Sequence, residues 1–287
     1  MYENILNNYS PSEIVQICKH LNKTYNIYDP EQVRWKKIKY ALSKTPEDLL
    51  IDLQKNAFSN QFVNFLLMNY YICERVVKYH FIKHLKNSMH DIVAFEMSIG
   101  DSRIDICRIN GKLCAYEIKT EYDNYDRLSS QMSDYFKSFE KVYIIVPTQK
   151  FDDVKKHIPR KCGIITYRIA ELGNMLFSYR RAAQENVCDI HFCLKSLASS
   201  DLVKLLRLLH EKPQKTKEDN LNLITRIANK KNIWPTYRLF LKQKYLEQWD
   251  YLKDNFNEIL PIDCQSFFSS QMDPRILYEK RNGHMAF

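Results

Sequence analysis

Apolar residues in the first part of the chain recur at the three- and four-residue spacing of α-helices. Three helix starts are marked by a proline that directly follows Ser10, Asp29 and Thr45. The longest apolar stretch at helical spacing covers residues 59–87. The pattern therefore predicts an N-terminal helical region over residues 1–58, followed by one long helix.

Between residues 91 and 170 the pattern changes to short apolar runs separated by polar turns. The run at 141–147 is apolar at nearly every position, which is typical of a strand buried on both faces. The predicted elements are a strand at 91–98, a hairpin at 103–119, a helix at 127–139, a strand at 141–147, a short helix at 152–157 and a strand at 163–167. Together with the preceding helix, this order predicts an α/β sandwich with a mixed central sheet.

Helical spacing returns after residue 171 and continues through the C-terminal part of the chain. We therefore expect three regions along the sequence. They are an N-terminal helical region at 1–58, an α/β core at 59–171 and a C-terminal, mostly helical region at 172–287.

The predicted hairpin brings acidic and basic side chains together across an Asn110–Gly111 turn. A two-residue loop would place Asp105 and Glu117 on opposite faces of the sheet, because side chains alternate along a strand. A three-residue loop with Gly111 in the left-handed conformation would pair residue 108 with residue 112 and place both acids on one face. We predict this bulged loop, with Lys119 on the same face as Glu117.

The composition of the chain indicates which kind of partner it binds and in which cellular compartment it works. The 287 residues carry a formal net charge of +9 with a pI near 9.0, which favours a polyanionic partner. The eight cysteines lie mostly in apolar patterns, so we expect buried thiols in a reducing cytoplasm and no disulfides. We see no secretory signal and no apolar run long enough to span a bilayer, and therefore expect no membrane association.

Five residues in this element order carry a resemblance to a known family. Glu74 in the long helix, Asp105 in a strand, and Glu117, Ile118 and Lys119 at the end of the next strand resemble the PD-(D/E)XK nuclease superfamily. The αβββαβ order over roughly residues 59–170 is similar to the core of that superfamily. The region 59–171 would then be its restriction-endonuclease-like nuclease core.

A second motif narrows the resemblance to one branch. Gln131 and Tyr135, one helical turn apart, resemble the Q-x-x-x-Y motif of RecB-like nucleases in that superfamily. The surrounding sequence is also similar to a group of uncharacterised bacterial proteins assigned there.

The resemblance implies a metal-dependent nuclease that hydrolyses phosphodiester bonds through a Mg²⁺-bound water. Asp105, Glu117 and the backbone carbonyl of Ile118 would be ligands to Mg²⁺, for which Mn²⁺ would substitute. Lys119 would orient the water or stabilise charge in the transition state, and Glu74 would hold a metal-bound water or a second metal.

Four further residues have less defined roles. Gln131 and Tyr135 would fix the substrate phosphate or the Lys119 ammonium. Glu96 is either an additional acid at the site or an exposed strand residue. Arg127 is either a phosphate contact or a surface residue.

Several alternatives stay open. DNA is favoured over RNA as substrate, and the resemblance implies a role in restriction, repair, recombination or phage defence without choosing among them. The alternative class is a non-catalytic nucleic-acid-binding or assembly protein that kept the nuclease fold. Asp105 and Lys119 could also be a strand-end ion pair in an ordinary α/β protein, and a homodimer or a partner protein could engage the helical flanks.

Overall fold

The computed structural model describes residues 2–86, 91–170 and 174–269, which divide into two compact units. One unit comprises the described residues of Met1–His80 and Asn255–Phe287, and the other those of Phe81–Asp254. This division differs from the three predicted regions, whose boundaries stay a prediction.

The first unit is helical. Its helices are α1 (Tyr2–Leu6), α2 (Pro11–Thr24), α3 (Glu31–Ala41), α4 (Glu47–Asn56) and α5 (Ser59–Tyr70), with a 3₁₀ turn at Pro261–Asp263 and a short helix at Ser266–Ser269. The next helix, α6 (Glu74–Leu85), belongs to this unit up to His80 and to the second unit from Phe81. The three predicted helix starts are confirmed. Ser10 and Glu13 form a capping box on α2, and Pro30 and Pro46 are the N-cap residues of α3 and α4.

The predicted continuous helix over 59–87 is wrong, because the chain leaves the helix between α5 and α6. Tyr71 and Cys73 are both buried. Residues two apart lie on nearly opposite sides of a helix, so burying both side chains favours an extended link. Glu74 is consequently the first residue of α6 rather than a mid-helix residue.

The second unit is built on one mixed, open sheet with strand order β1-β2-β3-β4-β5-β6. The strands are β1 (Ile92–Ile99), β2 (Ser102–Asn110), β3 (Lys112–Ile118), β4 (Lys141–Pro147), β5 (Gly163–Ile169) and β6 (Met175–Arg181). The first three strands pair antiparallel, β3, β4 and β5 run parallel, and β6 is antiparallel to β5. The predicted α/β class with a mixed sheet is confirmed.

Helices flank this sheet. They are α7 (Leu128–Ser138), α8 (Phe151–Val154), α9 (Ile190–Lys195), α10 (Ser199–Leu208), α11 (Lys217–Ala228) and α12 (Trp234–Asp254). The guanidinium of Arg238 on α12 donates to both carboxylate oxygens of Glu140, at 2.7 and 3.3 Å, and Glu140 also accepts the N–H of Leu113. This pair fixes α12 to the start of the parallel strands. Within the described ranges, no helix has the length and apolar character needed to cross a bilayer.

The sixth strand was not predicted, because helical structure was expected after residue 171. β6 lies at the edge of the sheet, where Leu176 and Tyr179 remain exposed. An edge strand buries few side chains, so it lacks the continuous apolar run that marks β4 and β5.

The hairpin register also differs from the prediction. Asn110 pairs with Lys112, so only Gly111 lies between the paired residues, whereas pairing of Arg108 with Lys112 was expected. Gly111 has the predicted left-handed backbone, with φ of +68°, which permits this tighter turn. The partner of each residue shifts by two positions. Because side chains alternate, Asp105 and Glu117 still share one face.

Candidate functional site

The candidate site lies where β2 and β3 separate. Their ladder ends at Ile106 and Tyr116, although β2 begins at Ser102 and β3 continues to Ile118. Beyond that point Oδ2 of the buried Asp105 accepts the backbone N–H of Ile118 at 2.7 Å. A side-chain carboxylate thus takes the place of a main-chain carbonyl, and the strands part at the level of Asp105.

Glu117 is the centre of a hydrogen-bond network at this point. Its Oε1 accepts from Lys119 Nζ at 2.8 Å and from Gln131 Nε2 at 2.9 Å, and its Oε2 accepts from the Tyr135 hydroxyl at 2.8 Å. Lys119 Nζ also donates to Gln131 Oε1 at 3.2 Å. The structure therefore brings together the predicted residues of β3 and the predicted pair on α7.

The network sets the protonation of its members. Burial lowers the pKa of Lys119, but the neighbouring Glu117, Asp105 and Asp123 carboxylates outweigh burial and raise it above its usual value. Burial and the Glu117 carboxylate raise the pKa of Tyr135. Around neutral pH the site therefore contains a charged ammonium and a neutral phenol.

Glu96 lies close to Asp105, at the edge of this site. It falls between the paired residues Phe95 and Met97, opposite Asp105, and one of its carboxylate oxygens lies within 4.8 Å of an Asp105 oxygen. Its side chain is only 4% exposed and pairs with Arg103 at 2.5 Å. Glu96 is therefore not an exposed strand residue.

The backbone of Glu96 is strained. Its φ is +55°, a left-handed conformation that residues other than glycine seldom adopt, least of all within a strand. Such strain persists only where the surrounding structure enforces it, and it is commonly found at functional sites.

The remaining predicted residues are placed as follows. Glu74 belongs to the first unit, where its carboxylate pairs with Lys78. Arg127 is exposed at the N-cap of α7. The N–H of Ile118, rather than its carbonyl, contacts Asp105. Their proposed roles in metal or phosphate binding stay predictions.

Sequence reasoning missed Lys150, which fixes the loop that follows Lys119. Its Nζ donates to the carbonyls of Thr120, Glu121 and Asp123 at 3.1, 2.9 and 3.0 Å. Asp123 in turn accepts from the N–H and hydroxyl of Thr120, each at 2.7 Å. Only the Thr120–Asp123 spacing could have indicated a local turn, because Lys150 is remote in sequence.

Comparison with known proteins shows the family. The sequence model of the bacteriophage P4 protein cII family matches residues 67–266, which is more than half of the chain. The chain belongs to the P4 protein cII family. The P4 cII match includes the whole sheet and the predicted site residues, and it begins after the first four helices.

Two individual proteins are similar to the chain. Protein cII of Enterobacteria phage P4 is 33% identical over 66 residues, which are 23% of this chain and 25% of that protein, so the chain spans about a quarter of the length of this curated relative. A solved structure of a protein of unknown function from Silicibacter pomeroyi covers 47% of this chain and 86% of its own, at 15% identity and a TM-score of 0.30.

Proposed function

We propose that the chain is a Mg²⁺-dependent nuclease of the PD-(D/E)XK type that hydrolyses phosphodiester bonds, with DNA favoured over RNA and the cytoplasm as its place of action. One observation carries the proposal. Glu117 receives hydrogen bonds from Lys119, Gln131 and Tyr135 beside Asp105, at the point where two strands separate. The net charge of +9 supports a polyanionic substrate.

The donor set fits a hard divalent cation. Asp105 and Glu117 offer carboxylate oxygens on one face of the sheet, and Glu96 adds a third carboxylate beside Asp105. Oxygen ligands of this kind are those that Mg²⁺ and Mn²⁺ prefer. Asp105 and Glu117 would hold the ion, with the Ile118 carbonyl as a further ligand. When bound, the cation would act as a Lewis acid that polarises the phosphate and lowers the pKa of a water bound to it.

The chain's own side chains supply the rest of the chemistry. The Lys119 ammonium would stabilise negative charge that develops on a phosphate in the transition state. Gln131 is hydrogen-bonded to both Lys119 and Glu117, so it holds the ammonium group and the carboxylate next to each other. Tyr135, kept neutral, donates to Glu117 and fixes the rotamer of that carboxylate.

Cleavage of covalently closed DNA tests this proposal. Circular single-stranded DNA and supercoiled duplex DNA are incubated with the chain and Mg²⁺, Mn²⁺ or EDTA, with linear DNA and RNA as further substrates. We expect cutting with either metal and none in EDTA, and closed circles distinguish internal from end-dependent cleavage. If nucleic acid is bound but no substrate is cut under any condition, the chain is a non-catalytic binding or assembly module rather than a nuclease.

A role of the proposed nuclease in restriction, repair, recombination or phage defence is supported by the resemblance to the superfamily alone.

A further inference from the structure

The first unit contains a pocket of about 400 Å³ between α3 and the connection from α4 to α5. The pocket lies outside residues 67–266, the part of the chain that matches the P4 cII family. Its walls combine two aromatic rings with four side-chain amides, from Trp35, Phe58, Gln32, Gln54, Asn56 and Gln61.

The two rings differ in exposure. Trp35 is 3% exposed and forms a fixed inner wall, whereas Phe58 is 49% exposed at the pocket's edge. A half-exposed aromatic ring costs free energy to hydrate unless a partner covers it. A planar, partly apolar ligand would cover Phe58 by stacking.

The amide groups add directional hydrogen bonding. The three glutamine side chains each offer donors and an acceptor, which match the edges of nucleobases. The amide nitrogen of Asn56 already donates to the carbonyl and the carboxylate of Asp52 at 2.9 and 2.8 Å. Gln32, Gln54 and Gln61 are exposed, so their amides are accessible from the pocket opening.

The charges around the pocket permit a phosphate nearby. Glu31 lines the pocket, but its carboxylate accepts the N–H and the hydroxyl of Ser59 at 2.7 and 2.8 Å and pairs with Arg34. Its negative charge is therefore compensated inside the unit. Lys55 is the other charged residue of the lining and is exposed.

We propose that this pocket binds one unpaired nucleobase of a single-stranded nucleic acid, with Phe58 stacking on the base, the glutamine amides reading its edge and Lys55 facing the adjacent phosphate. Stacking on aromatic rings beside a basic group is how proteins commonly hold single strands. The site binds whether or not the strand is cut, so its test is independent of the proposed nuclease activity.

The test measures binding of two fluorescent decamers in EDTA, where a metal-dependent nuclease would not cut. One decamer is oligo-deoxyadenosine, and the other has the same phosphates and sugars without bases. We expect wild type to prefer the strand with bases. Phe58→Ala should weaken that strand's binding about tenfold and leave the abasic strand's binding unchanged. Gln61→Ala, at an exposed position, should weaken binding in the same base-dependent way.

Tyr40→Ala is the matched control, because Tyr40 is 76% exposed on α3 and does not line the pocket. Circular dichroism checks that every variant is folded. If Phe58→Ala weakens binding of both decamers equally, or if Tyr40→Ala weakens binding as much as Phe58→Ala does, the effect is a general one of the surface and base recognition is contradicted. Unchanged binding by Phe58→Ala and Gln61→Ala, or no preference of wild type for bases, would overturn the proposal.

Discussion

Replacing Lys119 with methionine is expected to reduce the proposed metal-dependent DNA cleavage by about 10²–10³-fold, the usual loss when one group that stabilises transition-state charge is removed. Methionine keeps the apolar stem but removes the ammonium that lies 2.8 Å from Glu117 Oε1. Asp105 and Glu117 remain in place, and Glu117 keeps its hydrogen bonds from Gln131 and Tyr135. The rate of cleavage of circular DNA at saturating Mg²⁺ measures the effect.

The same variant should still bind a divalent cation. Removing a positive charge beside two carboxylates favours cation binding, so Mn²⁺ should raise the melting temperature of Lys119→Met at least as much as that of wild type. Lys112→Met is the control, because Lys112 lies at the other end of β3 in an exposed ion pair with Glu185. A Lys119→Met rate within threefold of wild type would remove Lys119 from the proposed chemistry.

Replacing Arg34 with methionine is expected to destabilise the first unit by about 2–3 kcal/mol, because several hydrogen-bond acceptors around the buried guanidinium lose their donor while the Glu31 end of the ion pair stays one-third exposed. Arg34 is 5% exposed. Its guanidinium donates to Ser59 Oγ and to the Ile27 carbonyl, each at 2.8 Å, and pairs with Glu31. Methionine fills similar volume but leaves these acceptors without their donor. Urea unfolding followed by circular dichroism measures the free energy of unfolding.

Lys37→Met is the matched control on the same helix. Lys37 pairs with Asp29 at 2.5 Å but is about one-third exposed, so its loss should cost about 1 kcal/mol or less. Equal destabilisation by the two variants would contradict the special role of Arg34.

The Arg34 effect should also depend on pH. Although burial raises the pKa of Glu31, hydrogen bonds from Ser59 and Arg34 outweigh it and lower that pKa. A carboxylate whose pKa is lower in the folded state than in the unfolded state stabilises the fold when the pH is above its unfolded-state pKa. This stabilisation is lost as the pH falls through the folded-state pKa. The cost of Arg34→Met should therefore be smaller in acid than at pH 7.

The parts of the fold that were predicted correctly depend on local patterns. Proline after Ser10, Asp29 and Thr45 marks helix starts that the chain uses. Alternation along β2 and β3 put Asp105 and Glu117 on one face even though the register was wrong, because a two-residue shift preserves the face. The spacing of Gln131 and Tyr135 likewise placed both on the helix face that contacts Glu117.

The parts that could not be predicted depend on contacts that are remote in sequence. Nothing local ends the helix before Glu74, because the break comes from burying both Tyr71 and Cys73. Lys150 reaches the loop after β3 only once β4 has paired beside β3. The left-handed backbone of Glu96 has no sequence signal, since its position follows from the strands around it.

The proposed nuclease requires Asp105 as a ligand of the divalent cation at the cleavage site. Wild type and Asp105→Asn, prepared identically, are compared on one circular DNA substrate with Mg²⁺ and with EDTA. Asparagine can still accept the Ile118 N–H, so the fold should persist while the ligand charge is lost. The expected result is cutting by wild type with Mg²⁺ alone and none by Asp105→Asn. Equal cutting by both proteins would contradict the claim.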